Sequence, residues 1–197
     1  MISFDGCTKT FLFSGKNYSY GMYINRAGLL QHLYWGKKIG AADAAFLVAA
    51  HGLPASPNPD DYNKEIATDG MPAECGSFGR GDFRPATVVV RRKDGAAMSR
   101  FRYVSHKIVK GALHLQGMPC ARKADETLIL TLKDDFSDIE LDLNYSVSED
   151  SDVLVRSAVI RNAGKESAEI AKAFSFCTEL PDTRGTYSAL RLAGSWA

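Results

Sequence analysis

Between residues 69 and 86 the chain gathers Asp69, Glu74, Arg80, Asp82 and Arg84 into one stretch rich in glycine and proline. Side chains of these types support two kinds of chemistry. Paired carboxylates can serve as general acid and general base. A carboxylate and a guanidinium can also grip a polar ligand, the first by accepting two hydrogen bonds and the second by donating two from a planar fork. The same residues have a structural use, with the acids capping loop amides and pairing with Arg80 or Arg84. For Asp69, Glu74 and Asp82 as catalysts the structural use is the stronger expectation. Glycines at 70, 76, 79 and 81 admit backbone angles that other residues resist, so the stretch reads as a shaped loop. Asp82 and Arg84 flank Phe83, which fits the entry to a strand with the aromatic turned inward.

Fewer possibilities survive elsewhere. Ser105 and His106 are adjacent on a strand pattern, so they point to opposite faces and cannot form a nucleophile–base pair; His106 reads as a hydrogen-bonded structural histidine. His32, beside Leu33-Tyr34-Trp35, reads as a satisfied core or interface residue. Aromatics at alternating strand positions, such as Tyr20, Tyr34 and Trp35, pack in cores more often than they form ligand platforms. Cys75 lies in the shaped loop with no histidine near in sequence, and Pro119-Cys120-Ala121 reads as a turn. The cysteines at 7, 75, 120 and 177 show no paired spacing and the histidines at 32, 51, 106 and 114 are dispersed. Free thiols and no metal site are therefore expected. No glycine motif follows a strand and opens a helix, so nucleotide binding is unsupported.

Alternation of period two supplies the elements that must position these groups. Phe11 and Phe13 open a strand, and Tyr18, Tyr20, Met22 and Ile24 share one face of the next. Asn25-Arg26-Ala27-Gly28 marks a turn before a third run, Leu29–Tyr34. The pattern lapses across an irregular region near 37–78, where Ala41–Ala50 fits a short helix or a strand and Pro54–Tyr62 reads as loop. It returns in Thr87–Arg91, Arg100–Val109, Thr127–Leu132, Ile139–Ser148, Val153–Arg161 and Ala168–Cys177, with a last strand near Tyr187–Leu192. Roughly ten strands with regular turns and no long helix predict an all-β fold of two packed antiparallel sheets.

Composition narrows the function classes. The 197 residues carry 24 basic and 23 acidic side chains, a net charge of +1. That balance leaves no electrostatic footprint for nucleic acid or an anionic membrane. No apolar run approaches the ~20 residues that cross a bilayer, and Met1-Ile2-Ser3-Phe4-Asp5 lacks the form of a signal peptide. A cytoplasmic location is expected.

Several short strings recur in a recognisable order: His32-Leu33-Tyr34-Trp35-Gly36, Met71-Pro72-Ala73-Glu74, Gly81-Asp82-Phe83-Arg84-Pro85-Ala86, Arg102-Tyr103-Val104-Ser105-His106-Lys107-Ile108, Leu115-Gln116-Gly117-Met118-Pro119, Glu126-Thr127-Leu128 and Leu192-Ala193-Gly194-Ser195-Trp196-Ala197. Together they resemble the N-terminal domain of α-galactosidases of glycoside hydrolase family 36. The resemblance implies a β-supersandwich, with residues 1–197 as one domain. It implies retaining hydrolysis of melibiose- or raffinose-type α-galactosides by the intact enzyme. The family holds its catalytic carboxylates on a (β/α)₈ barrel C-terminal to this domain, so no catalytic residue is assigned here.

Further implications concern the site and its partners. Loops of this domain reach the barrel's active site in the family, in some members from a neighbouring subunit. Asp69, Glu74, Asp82, Arg84 and Trp35 are therefore candidate substrate-pocket residues. The expected partners are the chain's own catalytic barrel, a galactoside substrate and further copies in a homo-oligomer, with no cofactor, no nucleic acid and no membrane. Leu192 to Trp196 look like a truncation boundary leading into another element. Cys75 and Gly76 replace the aromatic residue and the proline usual in the family after the loop glutamate. The runner-up is a stand-alone carbohydrate-binding β-sandwich. A third reading, a sugar epimerase, would pair His106 with Glu74 or Glu179.

Overall fold

The computed structural model describes residues 1–50, 71–77, 79, 82, 84–174, 176–177 and 187–194. Its strands are β1 Ile2–Asp5, β2 Thr10–Ser14, β3 Tyr18–Ile24, β4 Leu30–Lys37, β5 Val88–Arg92, β6 Phe101–Lys110, β7 Glu126–Asp134, β8 Ile139–Val147, β9 Leu154–Asn162 and β10 Ala168–Ala173, with helix α1 at Ala41–Ala50. One four-stranded sheet runs β1-β2-β3-β4 and a second β6-β7-β8-β9, each an antiparallel meander, while β10 pairs with β5. The all-β expectation holds: antiparallel sheets pack together around a shared core.

The alternation read from sequence decides which side chains meet. On β7, Leu128, Leu130 and Leu132 are fully buried, and they stand opposite Tyr145, Leu143 and Leu141 of β8 in the ladder. Phe11, Phe13, Tyr20 and Met22 of the other sheet join them in one cluster. Burying each such side chain contributes about 1.5–3 kcal/mol. A second, smaller cluster lies on the far side of the first sheet, where Leu12, Tyr23 and Leu33 meet Ala44 and Met71. All seven residues of β3 are buried for that reason.

Helix or strand at 41–50 is settled by local chemistry. Alanine is the best helix former, and Asp43 accepts the Gly40 N–H at 2.9 Å while the Gly40 carbonyl accepts the Ala44 N–H. This reciprocal arrangement closes the first turn like a capping box. The turn before β4 forms as expected: Asn25 Oδ1 accepts the N–H groups of Ala27 and Leu29, and Gly28 takes φ +78°.

Two readings need correction. The sequence pattern gives no sign of β1; its four residues form a ladder with β2 but are too few to show a period. The strand near Tyr187–Leu192 is absent, since residues 187–194 have no regular secondary structure and Leu190 and Leu192 are almost fully exposed. A strand exists only through a ladder partner, and none among the described residues pairs with this segment. Asp69, Pro54–Tyr62, Phe83, Glu179 and Trp196 lie outside the described residues.

Candidate functional site: a buried carboxylate between the sheets

Residues 71–77 run back along the free edge of β4. Gln31 and Ala73 form an isolated antiparallel bridge. The His32 N–H donates to the Pro72 carbonyl at 3.0 Å, and the Glu74 N–H donates to the Leu30 carbonyl at 3.2 Å. This docking drives the Glu74 side chain between the two sheets, where none of it is exposed. Inward positions of four strands surround it: Tyr20 on β3, His32 on β4, Tyr145 on β8 and Arg156 on β9.

The carboxylate is fully engaged. Tyr20 donates its hydroxyl to Oε2 in a short hydrogen bond, and Tyr145 donates to Oε1 at 2.6 Å. Arg156 Nε lies 3.7 Å from Oε1 and donates to the Tyr145 hydroxyl at 3.1 Å. Cation, phenol and carboxylate thus form a relay. His32 Nδ1 sits 3.5 Å from Oε2, and among the described residues neither of its ring nitrogens makes a hydrogen bond. Burial and the neighbouring Glu74 charge hold the Tyr145 hydroxyl well above the ordinary tyrosine range. For Arg156, burial opposes the charge, but Tyr145 and Glu74 outweigh it and the guanidinium stays firmly protonated. Burial likewise pushes the adjacent Cys75 thiol up to about 12, moderated by Arg156. A buried charge needs such partners, because desolvation without them costs several kcal/mol.

The site's outer margin is aromatic. Trp35 meets Tyr20 edge-on with ring centroids 5.5 Å apart and Phe176 at 6.0 Å, while the Arg156 guanidinium lies over the rings of Tyr145 and Phe176. Trp35 is 45% exposed and Phe176 42%. The core reading of Trp35 is therefore corrected: β4 emerges from beneath the core at its C-terminal end, so Trp35 forms a rim where Tyr20 is interior.

The remaining candidates separate. Asp82 is 5% exposed and binds Arg84 in a fork, with Nε to Oδ1 at 2.9 Å and Nη2 to Oδ2 at 3.0 Å. Arg84 also donates to the Met71 carbonyl at 3.0 Å, which ties both ends of the loop together. Pairing of acid with arginine, the structural use considered from sequence, thus describes Asp82. Glu74 pairs instead with Arg156; Arg80 lies outside the described residues.

His106 belongs to a different neighbourhood. It packs on Phe4 and Phe11 with centroids 4.4 and 4.8 Å away and shares a 2.7 Å hydrogen bond with the Tyr103 hydroxyl. Burial lowers its pKa. It shares no described partner with Glu74, so that acid–base pair of the epimerase reading is not assembled; the alternative with Glu179 falls outside the described residues.

Sequence reasoning misses Tyr145 and Arg156. A signal exists for Arg156: it occupies the same face of β9 as Leu154, Ala158 and Ile160, which pack on the core. An arginine among inward apolar positions requires a buried acid.

The architecture is that of a β-sandwich domain whose sheets are bolted together by an internal ion-pair network. Residues 28–197 match the glycosyl hydrolase family 36 N-terminal domain, and the chain belongs to that family. It is 30% identical to the α-galactosidase AgaA of Geobacillus stearothermophilus over 99% of this chain and 27% of that protein. With Mel36A of Lactobacillus acidophilus it shares 32% over its whole length and 27% of the relative. The crystal structure of AgaB from G. stearothermophilus superposes with a TM-score of 0.77 at 31% identity, covering 88% of this chain and 24% of that one. A variant of AgaA solved with raffinose gives 0.76 at 31%, covering 84% and 24%. The chain thus spans about a quarter of the length of the relatives it matches.

Proposed function

We propose that these 197 residues work as a single non-catalytic N-terminal domain of an α-galactosidase that hydrolyses terminal α-galactosides of the melibiose or raffinose type with retention. Its catalytic carboxylates would lie on a barrel outside these residues. The observation that carries this reading is the match to the family's N-terminal domain over 28–197, combined with coverage of only a quarter of each relative. The raffinose complex of a relative supports the substrate class. Chemistry of the site agrees, since Glu74 has both oxygens engaged and no second carboxylate among its described partners. A retaining pair needs two carboxyls ~5 Å apart across the scissile bond.

The domain's service to the whole enzyme is mechanical. It offers a rigid wall for the catalytic barrel and for other copies in a homo-oligomer. Of the candidate sugar-contacting residues, Trp35 and Arg84 retain exposed surface, while Glu74 and Asp82 act by holding the 71–84 loop in shape. Purified chain is expected to release no nitrophenol from p-nitrophenyl α-galactoside. Steady turnover by the pure chain would overturn the proposal. The half-exposed Trp35 keeps a second reading in play, a carbohydrate-binding module; saturable quenching of tryptophan fluorescence by melibiose would favour it.

A further inference from the structure

Residues 111–125 connect β6 to β7. Gly117 adopts φ +74°, a conformation natural to glycine, and the Met118 N–H donates to the Leu115 carbonyl at 3.1 Å. This tight turn folds the following residues back on the preceding ones. As a result Cys120 Sγ lies 3.1 Å from His114 Nδ1, with both side chains exposed. The loop is tethered at its base: the Gly111 N–H donates to the Asp125 carbonyl at 2.8 Å, and the Thr127 hydroxyl donates to the Gly111 carbonyl at 2.7 Å. Lys123 is held by Asp150.

The other thiols lack this arrangement. Cys75 is kept protonated by burial. Cys7 is exposed, but its described neighbour is a carboxylate, Asp5, which accepts the Cys7 N–H at 2.9 Å. Cys177 is half-buried. Among the described residues, Cys120 alone combines an open thiol with an imidazole in hydrogen-bond contact.

We propose that Cys120 is a thiol–disulfide exchange site, with His114 as the base that takes the thiol proton and a small soluble disulfide as co-reactant. As the proton moves to His114 Nδ1, the Cys120 sulfur attacks one sulfur of the disulfide. A bond forms between those two sulfurs, the original sulfur–sulfur bond breaks, and its electron pair leaves on the second sulfur as a thiolate. That thiolate recovers the proton from the imidazolium. The products are a mixed disulfide on Cys120 and one small thiol, and no outside oxidant or reductant is consumed. The site shares no described contact with the Glu74 network and does not depend on the hydrolase reading.

The test is to expose the intact protein to oxidised glutathione and quantify each cysteine by peptide mass spectrometry. Cys120 is expected to form the mixed disulfide first, about tenfold or more ahead of Cys7, as general-base assistance requires. His114→Gln keeps a hydrogen-bonding side chain but cannot take the proton. It should slow Cys120 about tenfold and leave Cys7 unchanged. Reaction of Cys7 as fast as Cys120 overturns the proposal, as does an unchanged Cys120 rate in His114→Gln or no modification of Cys120.

Discussion

Replacing Glu74 by glutamine tests whether the buried carboxylate is a structural clamp or a ligand-binding group. The amide preserves shape and can still exchange hydrogen bonds with Tyr20 and Tyr145, but it removes the negative charge 3.7 Å from Arg156 Nε. Arg156, with a side chain 3% exposed, would then lose the anion that faces it in the interior. Breaking such a pair from one side costs about 3–5 kcal/mol. Retained tyrosine contacts favour the lower end, so a loss of about 3 kcal/mol is expected. That is about two powers of ten in the unfolding equilibrium, or roughly 6–12 °C in Tm for a chain of this size.

A cycle with Arg156→Met isolates the pair. Each single variant should be destabilised, while the double variant should recover about 1–3 kcal/mol relative to the sum. Urea unfolding followed by circular dichroism, with an unchanged m value, reads these differences. A Glu74→Gln loss under about 0.5 kcal/mol, the scale of an ordinary surface change, would refute the clamp; so would a coupling energy of zero.

Two further outcomes follow from the same geometry. Asp82→Asn removes the charge from the fork to Arg84, weakening two hydrogen bonds of a type worth about 1.5–3 kcal/mol each. The loop between β4 and β5 should open more readily, seen as hydrogen exchange about tenfold faster at the Glu74 and Thr87 amides, with β7 amides unaffected; equal rates would show the fork to be idle. For His106, burial lowers the folded pKa below the ordinary 6.5, so the unfolded chain binds the proton more readily. The stability that this histidine contributes is fully present above about pH 6.5 and declines as pH falls toward the folded value. Replacing His106 by asparagine should flatten the stability–pH curve in that window, and an unaltered slope would contradict the assignment.

The repeating part of the fold is legible in the chain itself. Leu128, Leu130 and Leu132 against Leu141, Leu143 and Tyr145 need only period-two alternation, because the pleat sends every second side chain to one face. The turn at Asn25–Gly28 is equally plain, since its residues act on their own backbone. Residue types and spacing alone also pick out the shaped loop and the members of its acid–arginine fork. Which residue pairs with which is not legible. Glu74 meets Tyr145 and Arg156, residues 71 and 82 positions away, because a segment without regular structure docks on the edge of β4, and no local pattern encodes that docking. Alternation assigns Trp35 to the core, yet exposure depends on where a strand passes beyond the facing sheet. The histidine–thiol contact at Cys120 depends on a left-handed glycine turn that composition only permits. Local hydrogen bonding and side-chain alternation are properties of neighbouring residues, and the sequence determines them directly. Burial, charge pairing and exposure are properties of the assembled sheets, so only the tertiary structure decides them.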